Sequence, residues 1–123
     1  MFANRPLSPH LQVYRLPITG LISISHRITG VLLALGLVLF TFLLYSIAAG
    51  EAVYQSMQAF MKLPVCQLIY WGFVYALFFH LCHGVRHLVW DIGKSLDKSA
   101  LTIYAVLELA ASVSMTLIVF LLS

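Results

Sequence analysis

The sequence is short of charge. Of its 123 residues only 9% are Asp, Glu, Lys or Arg, seven cationic and four acidic, against 62% hydrophobic and a mean hydropathy of +0.99. A soluble domain carries about a quarter charged residues to keep its surface wetted, so an ordinary soluble fold is excluded and most of the surface must face lipid or protein. The formal charge of +3 is spread thinly, with no basic run, which excludes the clustered Lys and Arg of a nucleic-acid footprint. Cysteine is equally scarce: Cys66 and Cys82 stand sixteen positions apart, roughly 24 Å along one predicted helix, too far for a disulfide. They read as buried apolar thiols. Internal repeats and low-complexity segments are absent.

What is present is three long apolar runs. Ile28–Gly50 and Leu63–Val85 hold no charged residue and Ser99–Ser123 holds only Glu108, each run being 23 to 25 residues long. As helices they measure about 35 Å, against a hydrocarbon core of about 30 Å. Lipid offers no partner for free backbone amides, and the runs are continuous rather than alternating, so helices are expected and a β-barrel is not. The expected fold is therefore all-α and integral to the membrane: an irregular N-terminal strap over 1–19, then transmembrane helices over about 20–50, 63–91 and 99–122. Two prolines in Arg5-Pro6-Leu7-Ser8-Pro9-His10 keep the strap from being helical, and Pro17 suits the first turn of the helix that follows.

The first run is too long for the apolar core of a signal peptide, although Ser46-Ile47-Ala48 ends it with small residues, so it is read as retained. Six of the seven cationic residues, Arg5, Arg15, Arg27, Arg86, Lys94 and Lys98, fall on the side of the N-terminus and the second connection, and only Lys62 lies in the first loop. The positive-inside rule then puts the N-terminus in the cytoplasm or matrix and the C-terminus outside.

Polar residues inside these runs carry the chemistry. Ser23, His26, Arg27 and Gly30 stand at i, i+3, i+4 and i+7, one helical face close to the cytoplasmic surface. Taken singly, Arg27 could snorkel to headgroup phosphates and Ser23 bond its own backbone; together they describe a stripe that must meet protein, ligand or water. The second helix repeats the spacing with His80, His83, Gly84 and His87, continued by Asp91. A single histidine on an apolar helix is usually a packing residue, but three on one membrane face with a glycine among them point to axial haem ligation, the glycine leaving room for a flat macrocycle. Zinc is disfavoured, because no cysteine or carboxylate completes a site there and Cys82 points away from the stripe. His80 is the deepest of the three. His83 stays open between packing residue and competing ligand.

These residues also resemble a family, the cytochrome b subunit of succinate dehydrogenase, the membrane anchor of complex II. One motif runs through Arg5-Pro6-Leu7, Leu11, Ile18, Ser23, His26-Arg27 and Thr29; the second through His80, Gly84-Val85-Arg86-His87-Leu88, Trp90-Asp91 and Gly93. The first loop and the third helix match only in hydropathy and length. The resemblance implies that His80 supplies one axial ligand to haem b and so is the iron-binding residue. It implies that Ser23 and Arg27 line a quinone site, and that His26 and His87 lie near the haem propionates or their polar network. It further implies a second anchor subunit giving the other axial histidine, an iron–sulfur subunit and a flavoprotein subunit as partners, ubiquinone as substrate, and no catalysis by this chain alone. Ser23 can hydrogen-bond a quinone carbonyl, and Arg27 can stabilise the negative charge that develops as the quinone is reduced.

Two other readings stay open. A different b-type cytochrome or a fumarate reductase would share the haem. A small transporter or structural membrane protein would use Arg27 and Glu108, the latter expected midway along the third helix with no charged partner at comparable depth on the first two. The first motif begins at Arg5, leaving no room for a cleavable transit peptide, so a bacterial inner membrane is expected rather than a mitochondrial one.

Overall fold

The computed structural model describes residues 8, 10–13, 15–95, 97 and 100–123. In chain order these form α1 (His10–Val13), α2 (Ile18–Ala48), α3 (Glu51–Met61), α4 (Pro64–Asp91) and α5 (Leu101–Leu122), with no strand among the described residues. The long helices α2, α4 and α5 are each apolar enough to cross a membrane. The expected all-α architecture with three spans is thus present. Of the N-terminal strap, residues 1–7, 9 and 14 lie outside the described residues; His10–Val13 within it is helical, and α2 already begins at Ile18.

Pro17 stands one position ahead of the first turn of α2 rather than inside it. Its φ of −66° and ψ of 155° are extended, and its carbonyl accepts the amides of Gly20 at 2.9 Å and Leu21 at 3.2 Å. The connection after α2, expected to be a loop, is the helix α3. Gly50 makes the break with a φ of +104°, a backbone state open to glycine at little cost. Gln67 then donates to the Met61 carbonyl at 2.7 Å, tying the end of α3 to the start of α4. Pro64 opens α4 at its first turn, where a missing N–H costs nothing.

The interior is nearly the reverse of a soluble core. Leu35, Leu37, Leu68, Leu121 and Leu122 are among many large apolar side chains on the outside, whereas Ala76, Ala105, Ser46 and Ser112 are buried. Between helices in lipid the apolar effect has little to gain, so small residues that permit close approach take the contacts. Ser46 and Ser112 return their hydroxyls to the carbonyls of Leu43 at 2.7 Å and Leu109 at 2.9 Å, leaving no unmet donor. Cys66 and Cys82 are free and only half-buried. Gly36 sits so close to Phe73 of α4 that a Cβ there would meet the ring at 3.0 Å, which makes it the close-approach point of α2 and α4. One apolar cluster, Ile22, Phe79 and Ala105, joins all three spans, with Ile18 and Leu109 packed against it. The ring of Phe79 lies parallel to that of His83, with centroids 6.3 Å apart.

Candidate functional site

Four of the five histidines come together where α2 meets α4. The His26 ring lies stacked on His80 with centroids 3.9 Å apart and an interplanar angle of 18°, and its centroid is 4.6 Å from His83 and 5.7 Å from His87. Helical spacing explains the local part of this: residues 80, 83 and 87 recur along one side of α4. The approach of His26 from α2 depends on Gly30, one turn further on, where a Cβ would stand 3.3 Å from His80 Cε1. At Gly84 an added Cβ would meet nothing within 4 Å, so the α4 surface beside the histidines is open.

Thr29, part of the first motif, holds the ring of His80. Its hydroxyl lies 2.9 Å from the His26 carbonyl and 3.2 Å from His80 Nδ1. With its one proton given to the carbonyl, the hydroxyl oxygen accepts from Nδ1–H, the tautomer that leaves the His80 Nε2 lone pair bare. Thr29 is buried while His80 remains half-buried.

His83 goes another way. It is 2% exposed, and its Nδ1 donates to Glu108 Oε1 on α5 at 2.7 Å. Arg86 Nη1 donates to the other carboxylate oxygen at 3.2 Å, and its Nη2 to the Leu101 carbonyl at 3.0 Å, with the guanidinium carbon 4.7 Å from the centre of the Trp90 ring. Glu108 is therefore not unpartnered: Arg86 on the second span is its counter-ion. Nor is it midway along α5, being the eighth residue of a helix of 22. The reason is rotational: the buried face of α4 carries both 83 and 86, and α5 offers Glu108 to that face. Arg86 is also not a topology-marking surface charge, since it is buried.

The face expected to hold Ser23, His26, Arg27 and Gly30 together is split. His26 and Gly30 meet α4, Ser23 is half-buried, and Arg27 is exposed, as are His87 and Asp91 at the end of α4. Ser23 and Arg27 stand one helical turn apart on α2, and neither joins the histidine contacts described above. Among the described residues, three buried nitrogens, His26 Nδ1, His83 Nε2 and Arg86 Nε, have no hydrogen-bond partner. Among the described residues no group of three or more His, Cys, Asp and Glu is arranged to hold a bare metal ion.

These features define a class: an integral membrane protein of three spans that holds a histidine cluster between two of them. The family model for the succinate dehydrogenase/fumarate reductase transmembrane subunit matches residues 1–119. The chain belongs to that family. Similar relatives include a succinate dehydrogenase cytochrome b556 subunit of Paracoccus denitrificans, 42% identical over 76% of this chain and 72% of the relative. A cytochrome b560 subunit of Reclinomonas americana is 40% identical over 89% and 81%. The mitochondrial cytochrome b560 subunit of Sus scrofa is 36% identical over 90% and 67%. The chain is accordingly a membrane-anchor subunit of complex II type.

Proposed function

We propose that this chain binds haem b through His80, shares that haem with a second anchor subunit, and forms part of the site where ubiquinone is reduced with electrons from succinate. The observation that carries the reading is the contact of Thr29 Oγ1 with His80 Nδ1 at 3.2 Å. With the hydroxyl oxygen accepting from Nδ1–H, the Nε2 lone pair would be free to bind iron, the arrangement by which metal-binding histidines are oriented. The residues around it fit a flat macrocycle: the α4 surface is open at Gly84, and His26 Nδ1 is a buried nitrogen in want of a partner. His26 and His87 are the groups we assign to the haem propionates or the polar network beside them. His80 and a histidine of the second anchor subunit would hold the haem, which when bound would supply electron storage.

Ser23 and Arg27 are the assigned quinone residues. The Ser23 hydroxyl donates to a quinone carbonyl, and the Arg27 guanidinium lowers the cost of the negative charge that builds on the ring oxygens before protons arrive. Exposure of Arg27 in the isolated chain supports a site completed by partners: the iron–sulfur subunit, itself bound to the flavoprotein subunit, and the second anchor. Alone, the chain is assigned no catalysis. The membrane assigned is the bacterial inner membrane, with the N-terminus cytoplasmic. With Arg86 removed from the count because it is buried and paired, five of the remaining six cationic residues still fall on that side.

The test is an optical difference spectrum of the complex purified from native membranes, oxidised and then given succinate and dithionite. Sharp b-type bands, partly reduced by succinate and lost in His80→Leu, are the expected result. A wild-type complex without such bands, or a His80→Leu complex that keeps them, would overturn the assignment.

A further inference from the structure

The Glu108–Arg86 pair is absorbed by none of the roles above, and its placement says what it does. Both residues are buried within this chain alone, Arg86 at 8% and Glu108 at 7% exposure, so no partner subunit is needed to remove them from lipid or water. Each carboxylate oxygen has one partner, His83 Nδ1 at 2.7 Å and Arg86 Nη1 at 3.2 Å, and the guanidinium is further held by the Leu101 carbonyl. Burying opposite charges in this way gives little net stability, because desolvation offsets the attraction. Its lasting effect is on the field. Arginine keeps its charge at any working pH, and in a poorly solvated interior an uncompensated charge acts over several ångströms with little screening.

That field falls on the histidine cluster. Arg86 is six residues along α4 from His80, a rise of about 9 Å. His83 stands between them, its ring centroid 4.6 Å from His26, which in turn stacks on His80. The other charged side chains described at this end, Arg15, Arg27, Asp91, Lys94 and Asp97, are exposed. Among the described residues, Arg86 and Glu108 are thus the two fixed charges buried beside the proposed haem site, and they cancel.

We propose that Glu108 is a positioning and charge-compensating residue that sets how readily a haem held at His80 accepts an electron, by neutralising Arg86 and fixing the orientation of His83. The inference rests on the haem reading of His80. Glu108→Gln keeps the shape and an acceptor for His83 Nδ1 but leaves the guanidinium bare. A positive charge about 10 Å away in a medium of effective dielectric about 20 favours the reduced haem on the order of tenfold.

The experiment is a mediated redox titration of the purified complex, read at the b-type band, with haem content measured in parallel. At a fixed potential near the wild-type midpoint, Glu108→Gln is expected to raise the reduced-to-oxidised ratio on the order of tenfold, equivalent to about 59 mV for a one-electron couple. Glu108→Gln with Arg86→Gln, neutral again, returns the ratio to near the wild-type value. A purely structural role predicts that the double variant departs further than the single. If Glu108→Gln does not assemble, Arg86→Gln measured at alkaline pH takes its place, and there the ratio falls. Haem-loaded variants with an unmoved ratio, or single and double variants that shift together, overturn this inference alone. A wild-type complex that lacks b-type bands overturns the haem reading and this inference with it.

Discussion

Thr29→Val removes one hydroxyl from the site and almost nothing else. Valine is close to threonine in shape, and residue 29 is buried with only 8% of its surface exposed, so the packing of α2 on α4 is preserved while the 3.2 Å bond to His80 Nδ1 is lost. A hydrogen bond of this kind contributes about 0.5–1.5 kcal/mol, which is about twofold to about tenfold in an equilibrium constant. Its length is near the upper limit for nitrogen and oxygen, which places the effect in the lower half of that range, but the loss is compounded because His80 becomes free to adopt the other tautomer. Proposed as a haem ligand, His80 would then hold the iron less tightly. The assay is the rate of haem loss from the purified complex in mild detergent, with Thr29→Ser as the control that retains the hydroxyl. Thr29→Val is expected to lose haem about two to ten times faster than wild type, and Thr29→Ser at close to the wild-type rate. Equal rates for all three would refute the argument that Thr29 orients His80.

Other outcomes follow from the same geometry. Arg27→Leu should lower succinate:quinone reductase activity by about tenfold or more, the scale of a charge-assisted contact of about 1.5–3 kcal/mol, while succinate oxidation with an artificial acceptor stays intact; loss of both activities would argue against a quinone role for Arg27. Gly36→Val places side-chain atoms against the Phe73 ring, which a Cβ alone would approach to 3.0 Å, and should destabilise the α2–α4 packing by about 1–3 kcal/mol, seen as a lower melting temperature of the complex. Glu108→Leu strands Arg86 and should cost about 3–5 kcal/mol, whereas Glu108→Leu with Arg86→Met should recover most of it, a comparison made by thermal unfolding of the two complexes.

Orientation of helices, rather than their existence, is where reading from sequence stopped. The scarcity of charge over 28–50, 63–85 and 99–123 left no alternative to three spans, because a backbone in lipid must satisfy its own hydrogen bonds. α3 escaped notice because a short stretch of mixed polarity between two spans carries too weak a pattern to separate helix from loop, and only its packing beside α2 and α4 makes it one.

The sequence by itself determined that this is an all-helical membrane protein, which side of α4 carries His80, His83 and His87, and, through two motifs, the family to which it belongs. Helical periodicity suffices for that, since the angle between residues of one helix is fixed by its hydrogen bonds. The tertiary structure decided what each of those side chains meets. Thr29 reaches His80 across 51 positions of chain, and His83 reaches Glu108 across 25. No periodicity within a helix encodes such pairings: they depend on how α2, α4 and α5 are rotated about their own axes, and that rotation is set by the close approaches at Gly30 and Gly36 and by the small residues buried between the spans.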